Sequence, residues 1–359
     1  MVSKLVVVFG GETPEHEISL SGARAVLSHA NALGWEVLPI GVARDGNWLV
    51  GPGALAYLWR MAEPQLLPKG MSPDDEVPGS GGDVRKLSGV PSSELLAGYD
   101  LAFPVSHGRW GEDGTLQGLL ACYGLQIVGS GVAASALCFD KHLTKSVLSA
   151  AGLPVAKGTR VSKAEFVEAP DAVAAKARET IGPYPWFVKP ARGGSSLGIG
   201  RVDGDDDLGR ALAGAFRWDT VALIEECVPH REMVLGVLGN ETEGLLVSPP
   251  GECVAVGSLY TYEEKYRLGN PRFRCPAEID DVLTRRARAM AAEAFRVLGC
   301  SVFARVDLFL DVRTNDFLIN EVNTIPGLTE VSVFPTVMRA AGLDYPQLLI
   351  ELCRLARHT

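Results

Sequence analysis

The chain has 359 residues, 47% hydrophobic and 21% charged, and its 34 Lys and Arg against 43 Asp and Glu leave a formal net charge of −9. That length points to two or three domains, and that balance excludes a disordered or collagen-like chain. The acidic excess argues against a sequence-independent nucleic-acid binder, so positive charge for an anionic substrate must be local.

Leu5 to Phe9 is the longest purely apolar run near the start, too short for a signal-peptide core or a membrane span. Residues 4–9, ending in Gly10-Gly11, read as a buried parallel strand. Thr13 is expected to cap the next helix, with Pro14 at its first position. Ile18, Val26, Ala30 and Leu33 share one helical face, and Gly34 stops the helix. Residues 35–42 form a second strand, which opens an α/β sheet. Residues 44–98, richer in Gly, Pro and charge, read as an insertion with a mobile surface loop at 73–82. Residues 101–105 read as a strand, 114–123 as a helix and 126–128 as a short strand.

Residues 141–151 look helical. A strand at 185–190 feeds the loop Arg192-Gly193-Gly194-Ser195-Ser196-Leu197-Gly198, and 199–202, 221–224 and 233–238 read as further strands. Ile279, Val282, Leu283, Met290, Ala294 and Leu298 fall on one helical face ended by Gly299. Strands at 302–310 and 316–322 and an amphipathic helix at 345–357 complete the chain. The expected domains are 1–134, an open parallel α/β unit; 135–230, smaller and α+β; and 231–359. The seven cysteines are an odd number without a CxxC pair, which suggests buried free thiols in a reducing cytoplasm.

Three constellations carry chemistry. Alternation puts Arg305 with Asp307 on one strand face, and Glu321 with Asn323 on one face of the next. Asp, Glu and Asn converging there supply hard oxygen ligands suited to Mg²⁺. The glycine-rich loop can turn backbone N–H groups onto phosphate oxygens. Its Gly194-Ser195-Ser196-Leu197-Gly198 also matches GxSxG, but a nucleophile elbow needs a helix where a strand follows. Lys141, Lys189 and Lys265 sit in apolar or Gly-rich contexts, and Lys189 is costly to bury unless it meets an anion such as a phosphate. His16-Glu17-Ile18-Ser19-Leu20 lacks the second His of a zinc-protease motif, and Gly10-Gly11 is not GxGxxG.

Taken in order, several short motifs resemble the D-alanine–D-alanine ligases of the ATP-grasp superfamily over nearly the whole chain. They are Gly10-Gly11-x-x-x-Glu15-x-Glu17-Ile18-Ser19, His107-Gly108-x-x-Gly111-Glu112-Asp113-Gly114-Thr115-Leu116-Gln117-Gly118 and Gly129-Ser130-Gly131-Val132-x-Ala134-Ser135. Lys189-Pro190, Glu264-Lys265-Tyr266 and Asn320-Glu321-Val322-Asn323-Thr324-x-Pro326-Gly327-Leu328-Thr329 continue the series.

The resemblance implies an ATP-grasp fold behind the N-terminal α/β domain, with ATP between the two later domains. It implies a reaction in which one D-alanine carboxylate takes the γ-phosphoryl of ATP and the amine of a second D-alanine displaces phosphate, for peptidoglycan synthesis. Lys141, Lys189, Ser196, Glu225, Glu226, Val228, Glu232 and Lys265 would hold ATP. Asp307, Glu321 and Asn323 would hold two Mg²⁺ ions, with Mn²⁺ able to substitute. Arg305 would stabilise the acyl phosphate and tetrahedral intermediate. Glu15 would grip the first ammonium, with Ser195 and Tyr266 in one hydrogen-bonded set. His107 would line the substrate site, and Gly327, Ser332 and Val333 would cradle the second carboxylate. Residues 260–275, made basic by Arg267, Arg272 and Arg274, would close over the site. Thr261, Cys227 and Val333 depart from the family's usual residues.

The same resemblance implies a cytoplasmic enzyme with no membrane or nucleic-acid partner, and a homodimer through its first domain. A D-alanine–D-lactate or D-alanine–D-serine ligase is the nearest alternative; Tyr266 favours the dipeptide. A serine hydrolase acting through Ser196, or a nucleotide binder without turnover, would lack D-alanine-dependent phosphate release.

Overall fold

A computed structural model describes residues 4–254 and 273–358. In chain order the first sheet and its helices are β1 (Lys4–Gly10), α1 (His16–Ala32), β2 (Glu36–Val42), β3 (Trp48–Val50), α2 (Ala54–Arg60), β4 (Arg85–Lys86), α3 (Ser93–Leu96), β5 (Leu101–Pro104), α4 (Thr115–Cys122) and β6 (Gln126–Ile127). The strands lie in the order β4-β3-β2-β1-β5-β6. β1 pairs in parallel with both β2 and β5, which is why its apolar residues run without alternation. Leu5, Val7 and Phe9 enter one core and Val6 and Val8 another, the two faces of one pleated strand.

Two sequence expectations change here. Helix α1 starts at His16, with Glu15 rather than Thr13 at the N-cap. The Thr13 hydroxyl instead accepts the Glu15 N–H at 3.2 Å, so a turn precedes the helix. Residues 44–98 extend the sheet, and within them 73–82 is a surface loop without strand or helix. β3 pairs with β2 and β4, Leu55 and Trp59 of α2 are fully buried, and Val77, inside that loop, is also buried. The many Gly and Pro there serve tight turns between short elements.

Helices α5 (Val132–Phe139) and α6 (Lys141–Ala150) follow, and their Ala134, Cys138 and Leu148 pack into the core of the third sheet. The second unit comprises β7 (Gly158–Ser162), α7 (Lys163–Glu168), α8 (Pro170–Ile181), β8 (Trp186–Pro190), β9 (Gly200–Val202), α9 (Asp205–Ala215) and β10 (Val221–Glu226). Its four strands run in the order β7-β10-β8-β9, every pair antiparallel. Val173 and Ala177 of α8 and Leu208 and Leu212 of α9 cover one face.

The third sheet holds β11 (His230–Asn240), β12 (Gly244–Val247), β13 (Gly251–Cys253), β14 (Phe273–Arg274), β15 (Val302–Asp311) and β16 (Phe317–Asn323), with helices α10 (Asp281–Val297), α11 (Val333–Ala340) and α12 (Tyr345–Ala356). Its order is β14-β13-β11-β15-β16, with β12 also on β11. The buried stripe of α10 is Ala287, Ala291, Ala294 and Phe295. Val282, expected on that stripe, is exposed; small alanines rather than the larger residues let α10 lie close to the sheet. Phe303, Phe334, Leu348 and Leu352 join Leu5, Val7 and Phe9 in one core, so the first and third sheets are packed together. Of the seven cysteines, Cys122 is exposed and Cys227 and Cys275 are half-buried, so only four are the buried thiols expected; all are free. Among the described residues no helix is long and apolar enough to cross a membrane.

Candidate active site

β1 and β5 are neighbours whose chains then leave in opposite directions, to β2 and to β6. Open α/β sheets bind ligands at such a switch point, beyond the carboxyl ends of the strands. The Ser19 hydroxyl ties the two ends together, accepting the Gly10 N–H and donating to the Val105 carbonyl, both at 2.7 Å. Glu15 and His107 emerge from the loops that follow, and both are buried. Burial pushes the His107 imidazole below its usual value, so it is neutral near pH 7. Its Nε2 is buried without a hydrogen-bond partner among the described residues.

The glycine-rich loop between β8 and β9 closes onto this point from the second unit. Ser195 donates its hydroxyl to Glu15. The approach is close at Gly194, where a Cβ would lie 3.1 Å from a Glu15 oxygen and would press on that side chain. Ser195 and Ser196 both take the left-handed backbone, with φ of 54° and 60°. Such conformations cost energy in a non-glycine residue and cluster at functional sites.

On the third sheet, Arg305 opposes Asn323 and Asp307 opposes Glu321. Directly opposed residues share a face, so all four side chains stand together. A β-bulge follows at once, between Asp307 and Leu308; bulges re-aim side chains beside active sites. Arg305 grips Asp307 through two hydrogen bonds of 2.7 and 2.6 Å and reaches Glu321 at 3.5 Å. Lys141 lies 3.7 Å from the other Glu321 oxygen. Among the described residues no three His, Cys, Asp or Glu side chains gather as a metal cluster, so the third oxygen of the set is the Asn323 amide.

The lysines arrive from α6 and β8. Asp140 caps α6, accepting the N–H groups of His142 and Leu143, and this fixes Lys141 at the helix start, where it donates to the Gly193 carbonyl at 2.5 Å. Lys189 does meet an anion, but that anion is the Glu225 carboxylate at 2.5 Å. Lys145 pairs with the same carboxylate. Burial opposes the ionised form of Glu225, yet the two lysines hold its carboxyl below its ordinary value. Burial pushes Lys145 down to about 8 against the pull of Glu225.

Lys141, Lys189, Ser196, Glu225, Glu226, Val228 and Glu232 line one cavity, walled by the rings of Phe187 and Phe309. Cys227 is not on its wall, whose rings come from β8 and β15. A second cavity holds Glu15, Ser195, Arg305, Asp307, Glu321, Asn323, Gly327, Ser332 and Val333. It shares Lys141, Ser195, Glu232 and Glu321 with the first, so the two are continuous. Ser332 is the N-cap of α11, and Val333 is its first residue. The Ser332 hydroxyl accepts the Thr329 N–H at 3.1 Å. Tyr266 and Lys265 lie outside the described residues, as do residues 260–272 of the expected closing loop. Arg274, one of the three arginines that make this loop basic, pairs with Glu278 at 2.7 Å.

Two family models match, "D-ala D-ala ligase N-terminus" over residues 4–130 and "D-ala D-ala ligase C-terminus" over residues 147–354. The chain belongs to the D-alanine–D-alanine ligase family. A relative in that family, D-alanine--D-alanine ligase of Deinococcus radiodurans, is 39% identical over 99% of both chains. The ligase of Chlorobium chlorochromatii is 38% identical, over 98% of this chain and 97% of its own. The solved VanG D-Ala:D-Ser ligase of Enterococcus faecalis superposes with a TM-score of 0.81 at 31% identity, over 99% of this chain and 100% of that one. The D-alanine-D-alanine ligase of Coxiella burnetii superposes at 0.78 with 30% identity, covering 99% and 96%. These ligases carry the ATP-grasp fold, and so does this chain.

Sequence reading of this family member missed Glu112, Lys145, Phe187 and Phe309. Lys145 follows Lys141 by four residues and so shares its helical face, a signal that was available. The burial of Glu112 was not readable from its polar, glycine-rich surroundings.

Proposed function

We propose that the enzyme uses ATP to join two D-alanine molecules, through a D-alanyl phosphate, with the residues of this continuous cavity. The observation that carries the reading is the four-residue face of Arg305, Asp307, Glu321 and Asn323, set across one cavity from the Glu15–Ser195 hydrogen bond. Few other chemistries need an ammonium anchor, a guanidinium and hard oxygen ligands in one place.

In this reading ATP lies in the cavity walled by Phe187 and Phe309, with Glu225, Glu226 and Val228 along one edge and Glu232 near the ribose. Lys141, Lys189 and the backbone of the Ser195–Ser196 turn face its phosphates, and Lys265 is a further candidate to bind them. Asp307, Glu321 and Asn323 suit Mg²⁺, because all three offer hard oxygens on one face. Two such ions, or Mn²⁺ in their place, would neutralise phosphate charge when bound.

Glu15 holds the first D-alanine by its ammonium, with neutral His107 beside it. Its carboxylate takes the γ-phosphoryl. Arg305 then faces the acyl phosphate oxygens, where a preorganised cation favours developing negative charge. Gly327, Ser332 and Val333 hold the second carboxylate at the start of α11, where unpaired N–H groups and the helix dipole favour an anion. The second amine attacks the acyl carbon and phosphate leaves; Tyr266 is the candidate to orient that amine. Residues 1–134, 135–230 and 231–359 are the proposed domains. The proposed setting is the cytoplasm, with a homodimer through the first domain, and the dipeptide serves peptidoglycan synthesis.

D-Alanine labelled with ¹⁸O in its carboxylate tests the route. One labelled oxygen should appear in each phosphate released. Phosphate without label would rule out the acyl phosphate.

A further inference from the structure

Glu112 has no part in the scheme above, yet it is buried and lines the same cavity as Glu15, Arg305 and Gly327. It sits in the loop between β5 and α4, and one of its oxygens accepts the Gly108 N–H at 2.5 Å. Gly108 also abuts the other carboxylate. A Cβ at this position would lie 3.5 Å from a Glu15 oxygen and 2.6 Å from the Thr13 hydroxyl. Glu15 and Glu112 therefore stand on two sides of one glycine, facing one space.

The charges around Glu112 leave that space acidic. Lys141 from α6 and Arg305 from β15 are the cations whose fields reach it, and Glu15 at the start of α1 opposes them. Arg305 is bound to Asp307 and reaches Glu321, and Lys141 donates to the Gly193 carbonyl and lies near Glu321. His107 on the same loop is held neutral by burial. Two buried carboxyls beside a cavity favour a cation entering it.

We propose that Glu112 is a second carboxylate acceptor for the ammonium of the first D-alanine, holding that cation jointly with Glu15. The proposal rests on the ligase reading and assigns the substrate site a residue beyond Glu15. In the empty site, burial and then the Glu15 charge push the Glu112 carboxyl up to about 8, so at pH 7 it carries its proton. When the ammonium enters, the proton leaves Glu112 for solvent and the carboxylate faces the cation. Nothing else is exchanged.

Isothermal titration of D-alanine into the enzyme holding a non-hydrolysable ATP analogue tests this in two buffers of different ionisation enthalpy at pH 7. The wild type should release close to one proton more than Glu112→Gln. Glu112→Gln keeps the acceptor for the Gly108 N–H, and its KM for D-alanine should rise about tenfold or more, the scale of a lost charge-assisted hydrogen bond. Its kcat should change less. Glu112→Asp should restore proton release, which a purely loop-shaping role would not require. Equal proton release in wild type and Glu112→Gln, or a KM within twofold, would overturn the proposal while leaving the ligase reading standing. A wild type that shows no heat with D-alanine would fail the ligase reading itself.

Discussion

Ser195 and Glu15 are 180 positions apart, and the hydroxyl of the first is bonded to the carboxylate of the second. The bond joins the glycine-rich loop to the end of the first sheet. It places the phosphate-facing loop and the ammonium anchor in one rigid geometry. Ser195→Ala should raise the KM for D-alanine and lower kcat together, by about tenfold in kcat/KM, the cost of a hydrogen bond to a charged group. Steady-state kinetics with either substrate varied would show it. A change confined to the KM for ATP would separate the loop from the alanine site.

Arg305 touches Asp307 and reaches Glu321, so it belongs to the ionic face. Arg305→Ala should lower kcat by about 10²–10³, the range for losing one preorganised electrostatic donor. Circular dichroism should stay near wild type, so that the loss is one of turnover and not of folding. Activity within tenfold of wild type would remove Arg305 from the chemistry.

Lys145, Lys189 and Glu225 form a buried ionic triad in which Glu225 is the anion. Glu225→Ala leaves two buried lysines facing each other. Breaking such a pair costs about 3–5 kcal/mol, measurable as a fall in the urea midpoint. The same carboxyl gives an acid limb to stability. Its folded value lies below the ordinary 4.5, so its contribution is full above about pH 4.5 and is lost as pH falls through the lower folded value. Glu225→Gln should flatten that limb.

Glu112 has the opposite sign. Its folded value, raised from 4.5 to about 8, means that its contribution is full below about pH 4.5 and is lost as pH rises through 8. Glu112→Gln should therefore gain stability relative to wild type as pH rises from 5 to 9. Thermal midpoints across pH would record this. A Glu112→Gln variant less stable at pH 9 than wild type would contradict the assignment of a strained acid.

The ionic face was legible in the sequence because strand alternation is strict. Arg305 and Asp307, two apart, must share a face, and so must Glu321 and Asn323. That the two pairs lie opposite each other needed the register of β15 on β16. The opening α/β pattern was legible for a similar reason, since the run of β1 is apolar on both faces. Residues 44–98 were misread as an insertion because their strands and helices are short, and Gly and Pro serve turns between packed elements as readily as loops. The Thr13 cap failed because the chain first makes a tight turn, with the His16 N–H on the Thr13 carbonyl at 3.2 Å, and the helix begins only after it. Glu112 was missed because a lone charged residue carries no sign of its burial; only tertiary packing puts it beside Glu15, whereas Lys145 was readable from its four-residue spacing to Lys141.

The most direct test of the whole account is phosphate release from Mg·ATP with D-alanine, with L-alanine, and with D-alanine plus D-lactate. The account predicts release that requires D-alanine, is absent with L-alanine, and is matched mole for mole by D-alanyl-D-alanine even when D-lactate is present. Release independent of D-alanine, or none with it, would contradict the assignment of this cavity to D-alanine ligation.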